Sequence, residues 1–163
     1  MSYYIIIRGP LGCGKTTIAK KLSKLIEGKH ISIDKMLEKH NLLKDREEGY
    51  TSQKSFFKAN DFGIKAANKY LSKGIPVIFD GNFYWKSQIE DLLKKLDIKH
   101  YVFTLQASLE LCIERDSKRK QVHGKDAARV VHNKSTEFNY GKLINTENKT
   151  PQEVLKEIIK FIY

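Results

Sequence analysis

Residues Gly9-Pro10-Leu11-Gly12-Cys13-Gly14-Lys15-Thr16 read G-x-x-x-x-G-K-T, and they stand where that pattern has a physical meaning. Tyr3-Tyr4-Ile5-Ile6-Ile7 before them is a short β-rich apolar run. Ile18, Leu22, Leu25 and Ile26 after them fall at helical spacing. Strand, glycine loop and helix together make a phosphate cradle. Gly9, Gly12 and Gly14 let backbone N–H groups curl round an anion without Cβ clashes, with Leu11 and Cys13 between them. The helix opening at Lys15, Thr16 and Thr17 adds its unpaired N–H groups and positive dipole end. Lys15 is placed to reach the outer phosphates of a nucleoside triphosphate, and the Thr16 hydroxyl to hold Mg²⁺.

The 163 residues are expected to form a single domain over 1–163, with 40% hydrophobic residues to fill one core. No apolar run approaches the ~20 residues of a membrane span, and Arg8 cuts the N-terminal run short of a signal sequence. The expectation is a cytoplasmic protein with no membrane partner. The two cysteines, Cys13 and Cys112, have no C-x-x-C companion and imply neither a metal site nor a disulfide framework. A net charge of +11 suits polyanionic partners, nucleotides or polynucleotides. The lysines are nonetheless dispersed from Lys15 to Lys160, which equally fits solvated helix faces.

Apolar runs at Tyr3–Ile7, His30–Ile33, Pro76–Phe79, Tyr101–Leu105 and Lys142–Ile144 read as strands separated by amphipathic helices. Gly28 and Gly74 sit where helices would stop. Ser87-Gln88-Ile89-Glu90 and Thr150-Pro151-Gln152-Glu153 read as capping boxes at helix starts. Alternating β and α predicts an α/β fold with a parallel sheet covered on both faces. Ligands then bind beyond the carboxyl ends of the strands, where the polar motifs fall.

Asp34 closes the second apolar run. A carboxylate there is suited to accept the proton of an attacking hydroxyl, and equally to cap the next helix. Val77-Ile78-Phe79-Asp80 is an apolar strand ending in aspartate, which suits Asp80 to help hold Mg²⁺, directly or through water, although buried strands also end in plain Asp-Gly turns. Asn82 would contact the acceptor or complete the turn. Cations gather at Arg115, Lys118, Arg119 and Lys120, followed by Lys125 and Arg129. Glu110–Glu114 and Arg115–Arg119 would be like-charged i, i+4 pairs on one helix, an arrangement suited to a polyanion between them. Residues about 115–130 are therefore expected to form a short helical lid over a nucleotide, with a solvated helix face as the alternative; guanidinium groups in such a lid suit phosphate charge. The guanine-reading N-K-x-D and the L-S-G-G-Q of transporter ATPases are missing.

Together these residues resemble the small P-loop kinases, a group with polynucleotide 5′-hydroxyl kinases, chloramphenicol phosphotransferase and zeta-toxin kinases. The closest pattern is the polynucleotide kinase domain: phosphate loop, strand-end base Asp34, the D-x-N of Asp80-Gly81-Asn82, and the R-x-S-K-R of Arg115–Arg119. The resemblance implies a three-layer α/β/α P-loop NTPase fold with a five-stranded parallel sheet in the order 2-3-1-4-5. It implies ATP and Mg²⁺ as cofactors, Lys15, Asp34, Arg115 and Arg119 as catalytic residues, and Asn145-Thr146 as an adenine-contacting loop. It also implies a hydroxyl-bearing acceptor, among them the 5′-hydroxyl of a polynucleotide. Leu37 departs from that pattern, which carries an arginine at this position. A nucleoside-monophosphate or small-metabolite kinase fits the same residues. So does, from another class, a nucleotide-dependent binding protein or switch with slow ATP hydrolysis.

Overall fold

A computed structural model describes residues 1–120 and 122–163. Its elements in chain order are β1 (Tyr4–Arg8), α1 (Lys15–Leu25), β2 (Lys29–Ser32), α2 (Ile33–Lys39), β3 (Arg46–Glu47), β4 (Tyr50–Thr51) and α3 (Gln53–Leu71). There follow β5 (Val77–Gly81), α4 (Lys86–Lys95), β6 (His100–Gln106), α5 (Leu109–Ser117), α6 (Lys125–Ser135), β7 (Lys142–Asn145) and α7 (Pro151–Ile162). Five strands pair in parallel in the order β2-β5-β1-β6-β7. With the β3–β4 hairpin left out of the count, that is the expected 2-3-1-4-5.

Alternation along β1 divides the core. Tyr4 and Ile6 face one side with Ile33, Phe56, Phe79 and Phe83, beneath α2, α3 and α4. Ile5 and Ile7 face the other with Ile18, Leu22, Phe103, Ile144 and Ile158, beneath α1 and α7. Parallel register brings the polar strand ends level. Ile7 lies beside Asp80, Arg8 beside Gly81 and Thr104, and Ser32 beside Asp80. The functional edge is therefore a consequence of strand pairing.

Local signals met different fates. The Thr150 box forms, with Thr150 Oγ1 accepting from Glu153 N at 3.2 Å and Glu153 Oε2 from Thr150 N at 2.6 Å. The Ser87 box does not form. Helix α4 begins two residues earlier than that box requires, at Lys86 with Trp85 in the cap position, and the Ser87 hydroxyl is turned to Gln53 Oε1. Gly74 takes the left-handed turn after α3 at φ 76°, but after α1 that position is Glu27, at φ 51°. Gly28 instead lies where a Cβ would stand 2.9 Å from Pro76 O. The hairpin β3–β4 had no signal, since two-residue strands carry no periodicity. It is held by Thr51, whose N–H donates to Tyr84 Oη at 3.1 Å and whose carbonyl accepts from Trp85 Nε1 at 2.8 Å.

Candidate active site

The phosphate loop leaves β1 in a shape that excludes side chains at two glycines. A Cβ on Gly9 would stand 2.6 Å from Leu105 O, and one on Gly12, at φ 84°, would meet Cys112 O. Gly14 supplies the left-handed turn (φ 95°) before α1 and leaves its first N–H groups without a side-chain cap, open to an anion. Lys15 is buried, and its Nζ donates to Pro10 O at 2.8 Å, curled across the loop. Leu11 is half-buried beside it, while Thr16 and Thr17 are exposed.

Thr16 Oγ1 donates to Asp80 Oδ2 at 2.7 Å, joining α1 to the end of β5. His30 Nε2 lies 2.6 Å from Asp80 Oδ1. Burial alone would raise the Asp80 carboxyl. The bonds from His30 and Thr16, with the charges of His30 and Lys15, pull it below the usual carboxylate range instead. An ionised carboxylate next to a hydroxyl is a hard-oxygen pair that fits Mg²⁺, which is bound through few protein groups together with substrate phosphates. Among the described residues no cluster of three or more His, Cys, Asp or Glu stands ready as an all-protein cage.

Asp34 lies in the first turn of α2, and the cap of that helix is Ser32, whose Oγ accepts from Lys35 N at 3.3 Å. Asp34 thus has no capping duty. Its carboxylate instead accepts from Asn82 N, at 3.2 Å to Oδ2 and 3.4 Å to Oδ1. Burial pushes this carboxyl up to about 6. Lys15 and the Asn82 N–H counteract that rise, and the negative charges of Asp80 and Glu38 add to it. Leu37, one turn along, is 3% exposed and packs in the core.

A cavity of about 390 Å³ opens on the other flank of the loop. Gly12, Cys13, Gly14, Thr17 and Ile18 line one wall, Arg115 and Arg119 a second, and Thr146, Lys149, Pro151 and Val154 a third. Arg115 bridges two of these walls. Its Nη1 donates to Cys13 O at 3.3 Å and to Thr146 Oγ1 at 3.1 Å, and its Nη2 to Thr146 O at 3.4 Å. Asn145 lies elsewhere, on a smaller cavity of about 240 Å³ beside Pro10, Ser108 and His132.

Helix α5 ends at Ser117, so Arg115 and Arg119 do not form a like-charged pair on one helical face. The pair that does form is Glu114–Lys118, at 2.8 Å. The expected lid of about 115–130 comprises the end of α5, a turn and the first half of α6; its residue 121 lies outside the described residues. Three residues of this edge carry no local sequence signal for what they do. His30 looked like an ordinary strand residue. Asp116 was a variable position of the lid pattern, yet it is 1% exposed and accepts from His123 N and Gly124 N, each at 3.0 Å. Arg8 looked like a charge terminating an apolar run and is fully buried.

A parallel sheet with a glycine phosphate loop after its central strand defines a P-loop kinase-like α/β fold. The chain belongs to the AAA domain family, whose model matches residues 5–138. In structure it is similar to a sugar kinase from Janibacter sp. HTCC2649, with a TM-score of 0.81, 14% identity, and 99% of this chain and 95% of that one covered. A gluconokinase from Sinorhizobium meliloti 1021 is similar at TM-score 0.72 and 14% identity, covering 96% and 89%. The Deinococcus radiodurans tunicamycin resistance protein is similar at TM-score 0.71 and 21% identity, covering 99% and 96%. No curated protein matches the sequence. Among the described residues no helix is long and apolar enough to cross a membrane.

Proposed function

We propose that the protein is a kinase that transfers the γ-phosphoryl group of ATP to a hydroxyl of a small acceptor, with Mg²⁺. The observation that carries this reading is Asp34: a carboxylate free of capping duty, bonded to the Asn82 N–H, with its carboxyl pushed by burial up to about 6 against the opposing charge of Lys15. In the reaction the acceptor O–H gives its proton to Asp34. Its oxygen forms a bond to the γ-phosphorus, the bond from that phosphorus to the bridging oxygen breaks, and ADP leaves. Lys15 leaves Pro10 O to neutralise the β- and γ-phosphates. Thr16 and Asp80 would hold Mg²⁺, which would supply further neutralisation of phosphate charge. The 390 Å³ cavity takes the nucleoside, with Thr146 and Arg115 at its edge and Arg119 over the phosphates. A switch that only hydrolyses ATP has no use for a carboxylate that takes the proton of an acceptor hydroxyl.

A small acceptor is supported by two features. The fold is similar to a sugar kinase and a gluconokinase, and Leu37, where polynucleotide kinases carry an acceptor-binding arginine, is part of the core. The second reading, a 5′-hydroxyl polynucleotide, rests on the net charge of +11. Transfer of label from [γ-³²P]ATP to a panel of sugars, nucleosides, nucleotides and 5′-hydroxyl oligonucleotides separates them. Oligonucleotides labelled in preference, with affinity falling steeply as salt rises, would establish the polynucleotide reading.

A further inference from the structure

We infer that Arg8 is a positioning residue for Asp34, holding the Gly81–Phe83 turn so that the Asn82 N–H points at the Asp34 carboxylate. The inference rests on the reading of Asp34 as proton acceptor only for its consequence in transfer; the coupling itself is structural.

Arg8 is the last residue of β1, adjacent to Gly9 of the phosphate loop, and is 0% exposed. Burying a guanidinium is expensive unless its donors are met. Among the described residues it makes no ion pair; neutral oxygens surround it. Nε donates to Phe83 O at 3.2 Å, Nη1 to Thr104 Oγ1 at 3.1 Å and Phe138 O at 3.5 Å, and Nη2 to Ser135 O at 2.7 Å. The Phe138 ring lies 4.3 Å from Cζ. Ser135 ends α6, so the cation sits at the negative end of that helix dipole. A lysine could not span this set, because it lacks the planar fork of donors.

The bond to Phe83 O falls on a strained residue. Phe83 adopts φ 44°, a left-handed conformation that a bulky residue keeps only when its surroundings impose it. Around it the space is closed: a Cβ on Gly81 would stand 3.1 Å from the Phe83 ring and 3.3 Å from Asp34 Oδ1. Between the two lies Asn82, whose N–H is the donor to Asp34. The chain of effect runs from Arg8 to Phe83 O, through the strained turn, to Asn82 N and the carboxylate. Arg8 touches neither Asp34 nor the reacting atoms.

The test is the Asn82 amide resonance in ¹H–¹⁵N spectra of the full chain, with Asp34→Ala as the reference for the lost acceptor. In Arg8→Lys the resonance is expected to move from its wild-type position towards that of Asp34→Ala, while α7 resonances stay in place. Transfer should lose about 10² in kcat, the scale of a misplaced reacting group, with KM for ATP changed less than twofold. Unchanged kcat in a protein whose amide has moved would refute Asp34 as the proton acceptor and leave the coupling in place; an unmoved Asn82 amide overturns the inference. So does a loss of ATP affinity with the amide unmoved, which would assign Arg8 to the phosphate loop. If Arg8→Lys does not fold, Thr104→Val removes one of the partners of Nη1; a smaller shift in the same direction is expected, and no shift overturns the proposal. A moved amide in a protein whose wild type phosphorylates no alcohol would refute the phosphotransfer reading alone.

Discussion

The Thr16 hydroxyl and the Asp80 carboxylate are 2.7 Å apart, and the other Asp80 oxygen is held by His30 at 2.6 Å. Strand pairing sets this geometry: Asp80 is level with Ser32 on one side and Ile7 on the other, so its side chain reaches both His30 and the first turn of α1. A hydroxyl and an ionised carboxylate held together need little rearrangement to share a cation. The carboxylate is kept ionised by its two donors despite burial.

Asp80→Asn should therefore lower transfer by about 10²-fold or more, as for loss of a preorganised electrostatic group, and should raise the Mg²⁺ concentration needed for half-maximal rate. Chelation of Mg²⁺ should abolish transfer in the wild type. A Mg²⁺ titration of the variant that overlays the wild-type curve would remove Asp80 from the metal site.

Lys15 rests on Pro10 O at 2.8 Å, so its ammonium is already desolvated and paired with a carbonyl of the loop it serves. Exchange of that carbonyl for phosphate oxygens makes the interaction charge-assisted. Lys15→Ala should keep the fold and lose roughly 3 kcal/mol of transition-state stabilisation, a rate loss above 10². Circular dichroism with single-turnover kinetics checks it, and near-normal turnover in a folded variant would refute the role.

Asp34 links activity and stability with opposite signs. A carboxyl pushed to about 6 is ionised above that pH, so transfer should fall as pH drops through about 6. For stability, the folded state holds the proton more tightly than the unfolded chain. Ionised Asp34 therefore costs stability above about pH 6, and the cost disappears as pH falls below the ordinary aspartate range near 4. Asp34→Asn should lose about 10²–10⁴ in transfer with ATP binding retained. It should also be more stable at pH 7 by roughly 1–3 kcal/mol, a gain of several degrees in Tm that vanishes near pH 4. Equal melting temperatures at pH 7 would mean that this carboxylate is not a strained group.

The strands and the phosphate loop were legible because each rests on a local pattern: apolar runs, glycines at fixed offsets, and helix starts such as Thr150; the strand order followed only from the resemblance those patterns carry. What remained hidden depends on groups brought together by the sheet. His30 and Asp80 meet only because β2 and β5 pair in that register. Arg8 is a charge by sequence and a core residue by structure, since its partners Phe83, Thr104 and Ser135 come from three distant segments. The Ser87 box failed for the same reason: Trp85 is drawn to Thr51 O and the Ser87 hydroxyl to Gln53, which shifts the helix start. Asp34, balanced between cap and base in the sequence, was freed from capping by a serine two residues earlier.

The turn between α5 and α6 is held by Asp116. Its buried carboxylate accepts from His123 N and Gly124 N at 3.0 Å and lies 3.1 Å from His123 Nδ1, so it serves the uncapped N-terminus of α6 from the helix before it. Burial would raise this carboxyl, but the N–H groups of Gly124 and His123 and the His123 ring bring it below the usual range. The contact is therefore fully present at neutral pH and is lost only as pH falls through that depressed range. Hydrogen bonds to a charged group contribute roughly 1.5–3 kcal/mol each. Asp116→Asn keeps the shape, removes the charge and turns an amide towards the donors. Amides of His123 and Gly124 should then exchange at least tenfold faster, while those of α1 and α7 are unchanged. Arg115, on α5, and Arg119, just after it, line the 390 Å³ cavity, so on the proposed reading saturating ATP with Mg²⁺ should slow exchange across the start of α6 in the wild type and less so in Asp116→Asn. Identical protection with and without nucleotide would make the α5–α6 segment a fixed part of the scaffold rather than a lid.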